Sequence, residues 1–229
     1  MNRLTAFFLI CFMAGPVSAA PQLTLPGENF HGDEVHARDG EIWLALIAEH
    51  GAAKLEVTKL VVKAVNDPVL DGPDDKTGRS VTAPGINALV FLRGIAELKP
   101  GAIPAVVSDS TLLMIDGPLE LRLDDKLFHL RPRCDVVKPN ASIRCEVLLD
   151  DGAHAQPLFS TVGESNDDGT GFLAATLLFA GDLDHDGRID LLMDTAGGEN
   201  KARPTLFLST AAKKGQHVAE VAQQELTGC

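Results

Sequence analysis

Apolar and charged residues alternate without error through Leu119-Glu120-Leu121-Arg122-Leu123-Asp124. Successive side chains of a strand point to opposite faces, so this period of two puts the three leucines on one face and the charges on the other. The segment reads as a half-buried strand of an antiparallel sheet. Asp124-Asp125-Lys126 turns the chain, Leu127-Phe128-His129-Leu130 returns, and Ile143 to Leu149 supplies a further strand ended by Asp150-Asp151-Gly152. Elsewhere the apolar positions come as short runs: Glu41 to Ile47, a valine-rich stretch from Leu55 to Val65, Ala88 to Leu92, Thr176 to Phe179, Ile189 to Met193 and Thr205 to Leu208. Runs of this length suit buried strands, although the first also suits a buried helical turn. Pro21 to Asp39, Asn66 to Gly78 and Lys99-Pro100-Gly101 carry loop and turn chemistry. Alanines mixed with charged residues from Thr210 to Gln224 allow one short C-terminal helix. The pattern predicts a mainly β fold, an antiparallel β-sandwich or a barrel-like arrangement, with no internal repeat.

The first residues change the picture. Met1-Asn2-Arg3 is a short positive start, Leu4 to Ala14 is apolar, Gly15-Pro16 breaks the segment, and Val17-Ser18-Ala19 offers small residues for cleavage. That is the three-part pattern of a secretory signal, so residues 1–19 are expected to be a leader and residues 20–229 an exported β domain, periplasmic or secreted. The apolar stretch is shorter than the about 20 residues a membrane span needs, and no later stretch reaches that length. A weakly marked subdivision falls near residues 105–110. The net charge of −12 disfavours a nucleic-acid partner and favours cations. Beyond the leader stand Cys134, Cys145 and Cys229. Cys134 and Cys145 flank Val136-Val137-Lys138-Pro139-Asn140, a hairpin-like turn whose facing strands would bring them within bridging reach. Cys229 is left over, to claim one of the other two, to stay free, or to link two chains as a dimer.

The stretch with chemistry is Gly181-Asp182-Leu183-Asp184-His185-Asp186-Gly187-Arg188-Ile189-Asp190. Calcium takes several oxygen ligands in a flexible shell, so a tight loop must turn nearby carboxylates around one centre. Asp182, Asp184 and Asp186 have that spacing. Gly187 permits the sharp turn, the Arg188 carbonyl can point inward while its side chain points out, and Asp190 can close the shell. His185 occupies a non-ligand position and is expected to face solvent. An EF-hand needs a bidentate acid at the twelfth loop position, which here is Met193, and the flanks read as strands. The loop is therefore expected to join two strands. The loop carrying Asp67, Asp71, Asp74 and Asp75 has carboxylates that could bind a cation, but it reads first as a solvated acidic loop.

The segment from Phe179 through Gly181-Asp182-Leu183-Asp184-His185-Asp186-Gly187 to Leu192 resembles the calcium-binding hairpin of FG-GAP or VCBS-type repeats. The resemblance implies metal ligation by Asp182, Asp184, Asp186, the Arg188 carbonyl and Asp190. The motif is single, whereas the propellers built from such repeats need several blades, so it implies the loop and not the propeller. The surrounding chain resembles exported bacterial proteins that pair such a loop with a C-terminal Gly-Cys, here Gly228-Cys229, and this brings no activity with it.

Catalytic motifs are few. Gly181-Asp182-Leu183-Asp184 is similar to the nucleophile strand of haloacid-dehalogenase-type phosphohydrolases, but His185 departs from that motif and the chain ahead is too short for the α/β fold it opens. No Gly-x-Ser-x-Gly occurs, and the histidines are scattered without ligand spacing. The expected function is an extracytoplasmic calcium-binding module that interacts with a protein or a glycan. The alternatives are an exported hydrolase with a structural calcium and a structural envelope protein.

Overall fold

The structure, a computed structural model, describes residues 20–49, 51–107, 111–115, 117–135, 142–164, 173–196 and 200–227. The leader, the turn from Val136 to Asn140 and Cys229 lie outside these residues, along with the expectations placed on them. The strands in chain order are β1 (Gln22–Thr24), β2 (Gly27–Phe30), β3 (Ile42–Glu49), β4 (Ala52–Lys59), β5 (Val61–Val65), β6 (Gly78–Thr82), β7 (Val90–Arg93), β8 (Gly101–Ile103), β9 (Ala105–Val107) and β10 (Thr111–Met114). They continue with β11 (Leu119–Leu123), β12 (Lys126–Cys134), β13 (Ser142–Asp150), β14 (Ala155–Glu164), β15 (Leu173–Gly181), β16 (Asp190–Asp194), β17 (Lys201–Ala202), β18 (Pro204–Leu208), β19 (Ala219–Gln223) and β20 (Leu226–Thr227).

These strands form open antiparallel sheets, none closed into a barrel. A three-stranded sheet runs β2-β6-β5, a five-stranded sheet β1-β7-β3-β4-β8, and a four-stranded sheet β11-β12-β13-β14. A six-stranded sheet runs β10-β15-β16-β18-β19, with β9 beside the end of β15, and β17-β20 is a short ribbon.

Three apolar cores stack the four larger sheets in order. Trp43, Ala45 and Phe91 of the five-stranded sheet pack with Leu60 and Val81 toward the three-stranded sheet. Leu46, Leu55, Val90 and Leu92, on the opposite face, meet Phe179, Leu192, Leu206 and Leu208 of the six-stranded sheet. Leu177, Leu191, Met193 and Phe207 then turn the other way, toward Leu121, Leu130, Val147 and Leu149 of the four-stranded sheet. The two inner sheets are thus covered on both faces. That explains their sequences: Val90-Phe91-Leu92, Leu191-Leu192-Met193 and Leu206-Phe207-Leu208 are continuous apolar runs because neither face meets water. The outer four-stranded sheet has one wet face, and there the strict alternation of Leu119–Leu123 appears as expected.

Several local expectations are corrected or sharpened. The run from Glu41 to Ile47 is strand from Ile42 onward, not helical turn. The valine-rich run from Leu55 to Val65 is two strands, broken at Leu60, where the chain passes from one sheet to the next. The short C-terminal helix is not formed: hydrogen-bonded turns from Ser209 to Gln216 lead into β19, which pairs with β18 and buries Ala222. Alanine is the best helix former, but intrinsic propensity is a small local bias and loses here to pairing with the edge of β18. Cys134 and Cys145 face each other across β12 and β13 and form a disulfide. Among the described residues no helix is long and apolar enough to cross a membrane.

A sheet covered on both faces makes a sharp demand on adjacent positions. Leu191→Ala and Leu192→Ala each empty a site with 0% exposure, in different cores. Each should cost about 2–5 kcal/mol in urea unfolding, whereas the exposed Arg122→Ala on the outer sheet should shift stability by less than about 0.5 kcal/mol. Tolerance of either leucine change would mean that one of the two faces is not packed.

Candidate metal centre

The loop from Asp182 to Ile189 caps the end of the β15–β16 hairpin in the six-stranded sheet. Two apolar pegs fix it from opposite sides: Leu183 enters the core shared with the five-stranded sheet, and Ile189 the core shared with the four-stranded sheet. Gly181 lies against the Pro104 carbonyl, where a Cβ would collide, and this closeness lets the Asp182 N–H donate to Pro104 O at 2.9 Å. Two residues bend the chain through left-handed conformations, His185 with φ 62° and Gly187 with φ 75°. Gly187 adopts this without a Cβ penalty. His185 is exposed, as expected.

The pegs leave the acidic side chains gathered on the other side of the turn. One carboxylate oxygen from each of Asp182, Asp184 and Asp190 lies within 4.8 Å of the others. Asp190 is fully buried and Asp182 nearly so, while Asp184 is half-buried. Backbone donors hold each one in place. Asp182 accepts from Asp186 N at 3.0 Å and Gly187 N at 3.0 Å, and Asp190 accepts from Leu183 N at 2.7 Å and Ser209 N at 2.7 Å. Asp184 accepts from the Thr210 hydroxyl at 2.5 Å. A carboxylate has about four acceptor sites, so these bonds leave lone pairs for a further partner.

Burial drives the electrostatics. It pushes the Asp190 carboxyl up to about 7, with the charge of Asp184 adding to the rise and the Ser209 and Leu183 N–H groups opposing it. Burial also raises Asp184, helped by the charges of Asp186 and Asp182 and resisted by Thr210. Asp186 differs. Burial would raise it as well, but donors from Ser209 and Arg188 outweigh that and hold it below the usual carboxylate range.

The four aspartates expected in the shell therefore divide. Asp182, Asp184 and Asp190 come together, whereas Asp186 turns to Arg188 Nε at 2.8 Å and Ser209 Oγ at 2.9 Å. The Arg188 side chain does not simply point out; it folds back over Asp186 and donates to Ser209 O at 2.9 Å. Ser209 and Thr210, just past the end of β18, carry three of the donors that fix the acids, and spacing along the chain gives no sign of them. Only the pairing of β16 with β18 brings them to the loop.

The chain was compared with protein-family models, with curated proteins and with solved structures, and none of the three gives a match.

The second acidic loop is built differently, because its carboxylates are taken up by the loop itself. Asp71 accepts from Asp67 N, Thr77 N and Thr77 Oγ1, and the buried Asp67 accepts from Val69 N and Leu70 N. The other Asp67 oxygen meets His31 Nδ1 at 2.5 Å. This bond is the chief cause that raises the His31 pKa above its ordinary value, and the same bond is the chief cause that lowers Asp67. The pair thus contributes stability that is fully present below about pH 6.5 and is lost as pH rises through the raised His31 value; at the acid end it is lost as pH falls below about 4 through the lowered Asp67 value. Thermal melts of wild type and His31→Gln should differ most between about pH 4 and pH 6.5 and converge on the alkaline side. A constant difference from pH 5 to pH 9 would contradict the pairing.

Proposed function

We propose that this chain is an extracytoplasmic β module in which calcium, bound among Asp182, Asp184 and Asp190, plays a structural role, and whose work is to bind a protein or glycan partner. The carrying observation is the convergence of three carboxylates within 4.8 Å, two of them buried. Calcium–oxygen distances of 2.3–2.6 Å place the ligands of one ion no more than about 5 Å apart, so the three fit a single shell. The donor set is oxygen only and carries up to three negative charges, which suits a hard divalent cation. A bound ion supplies fixed positive charge where burial otherwise opposes ionisation.

This chain's own residues do the rest. Leu183 and Ile189 lock the loop to both cores, the backbone N–H groups orient the acids, and Ser209 and Thr210 tie the β18–β19 connection to them. Under this reading the loop is a single FG-GAP/VCBS-type hairpin used as the end clamp of a stacked sheet. Its position between two adjacent antiparallel strands supports that reading.

A ligand that binds only the folded state at about a hundred times its Kd adds about 2.7 kcal/mol, which for a chain of this size corresponds to a melting rise of about 5–10 °C. Millimolar calcium should give such a rise over chelator, magnesium much less, and Asp184→Asn none. An equal rise in Asp184→Asn, or none in wild type, would refute the site.

A further inference from the structure

Six large apolar side chains stand exposed among the described residues, and four of them fall into two groups that fit each other. The first is a knob. Val69 and Leu70, 59% and 68% exposed, sit at the tip of the loop between β5 and β6. The loop cannot fold them away, because its own polar groups fix its backbone. Val69 N and Leu70 N donate to the buried Asp67 carboxylate at 2.9 Å and 3.1 Å, and Asp71 N donates to Asp67 O at 3.0 Å. Asp67 N and Thr77 N both donate to Asp71 Oδ2, at 2.8 Å and 2.7 Å, and the Asn66 amide donates to Gly72 O and Asp75 O. Two aliphatic side chains are thus held out in water on a frame that needs no ordering when a partner binds.

The second group is a socket. The face of the five-stranded sheet that carries Leu46 and Leu55 into a core continues past its cover to Leu44, Val57 and Ile42. Leu44 stands directly opposite Val57, and Ile42 and Val57 are 58% and 53% exposed. These three, with Ile95, wall a cavity of about 170 Å³ whose floor is the buried Leu92 and Leu98. That volume is close to the roughly 150 Å³ apolar cavity that admits one benzene-sized group. It suits one branched aliphatic side chain, and its apolar walls offer a sugar no hydrogen-bonding partners to match its hydroxyls.

Charge sets the pairing. Asp71, Asp74 and Asp75 follow Leu70, with Lys76 as the one counter-charge in that loop. At the socket the balance is reversed: Lys59 faces Ile42 across the strands, Arg93 lines the cavity and Lys99 follows Leu98, against Glu41 and Glu97. A chain of net charge −12 repels its own copies at long range, so a local excess of cations is what allows an acidic tip to approach. Knob and socket are different surfaces of one chain, so their contact is heterologous and repeats from copy to copy. We infer that this chain associates with copies of itself head to tail, the Val69–Leu70 tip of one copy seated in the Ile42–Val57 socket of the next. This goes beyond the proposed partner binding and does not involve the metal, so its failure leaves the calcium reading standing.

Sedimentation equilibrium of the full chain over a concentration series, in chelator, tests it. The weight-average mass should climb with concentration and pass that of a dimer. Leu70→Asp removes the knob and Ile42→Lys the socket; each alone should stay at the mass of one chain. Both positions are exposed, so the melting temperature should not move. Mixed in equal amounts, the two variants hold one intact knob and one intact socket between them, and should form a dimer that grows no further. Val57→Lys in place of Ile42→Lys should behave in the same way. A wild type that stays at the mass of one chain throughout, association that survives Leu70→Asp, or a mixture that fails to dimerise would each overturn the inference.

Discussion

Leu191, Leu192 and Met193 of β16 and Leu206, Phe207 and Leu208 of β18 each enter an apolar core on one side of the sheet or the other, so the central strands have no face left for water. That double burial is the constraint on which the rest of the molecule depends. Full burial of a large apolar side chain stabilises by about 1.5–3 kcal/mol, and these strands collect it on both faces. In exchange, every backbone polar group inside must find a partner in the sheet. Polar chemistry is thereby pushed to the two places a stacked sheet leaves open, its hairpin ends and its edge strands.

The acidic loop sits at such an end. Two carboxylates about 5 Å apart repel by roughly 3 kcal/mol at an effective dielectric of about 20, and burial adds to the cost of charging them. The protein relieves part of this through backbone and hydroxyl donors, and part through the upward shift of Asp190 to about 7. A cation would relieve the remainder and restore all three charges. Asp186, satisfied by Arg188 and Ser209, needs no such relief, which is why its carboxyl shifts the opposite way.

How much of this was legible in the sequence follows from the same physics. The alternation of Leu119 to Leu123 was readable because its sheet has one wet face. The continuous runs were readable as buried strands, but a run does not say what covers each of its faces, so the order of four stacked sheets was not. The spacing of Asp182, Asp184 and Asp190 marked the gathered acids because they lie on one turn. The diversion of Asp186 was hidden, since its partner Ser209 is 23 residues away and arrives only through strand pairing. The helix expected over Thr210 to Gln224 failed for a similar reason: local propensity carries no knowledge of an unpaired edge waiting at β18.

The end of the doubly covered sheet is proposed as a cation site made by three of the four loop aspartates. Anomalous diffraction from crystals grown in calcium tests it most directly. One peak bonded to oxygens of Asp182, Asp184 and Asp190 is expected, with Asp186 still engaged by Arg188 and Ser209. A loop that keeps its conformation in calcium and shows no peak among those carboxylates would contradict it.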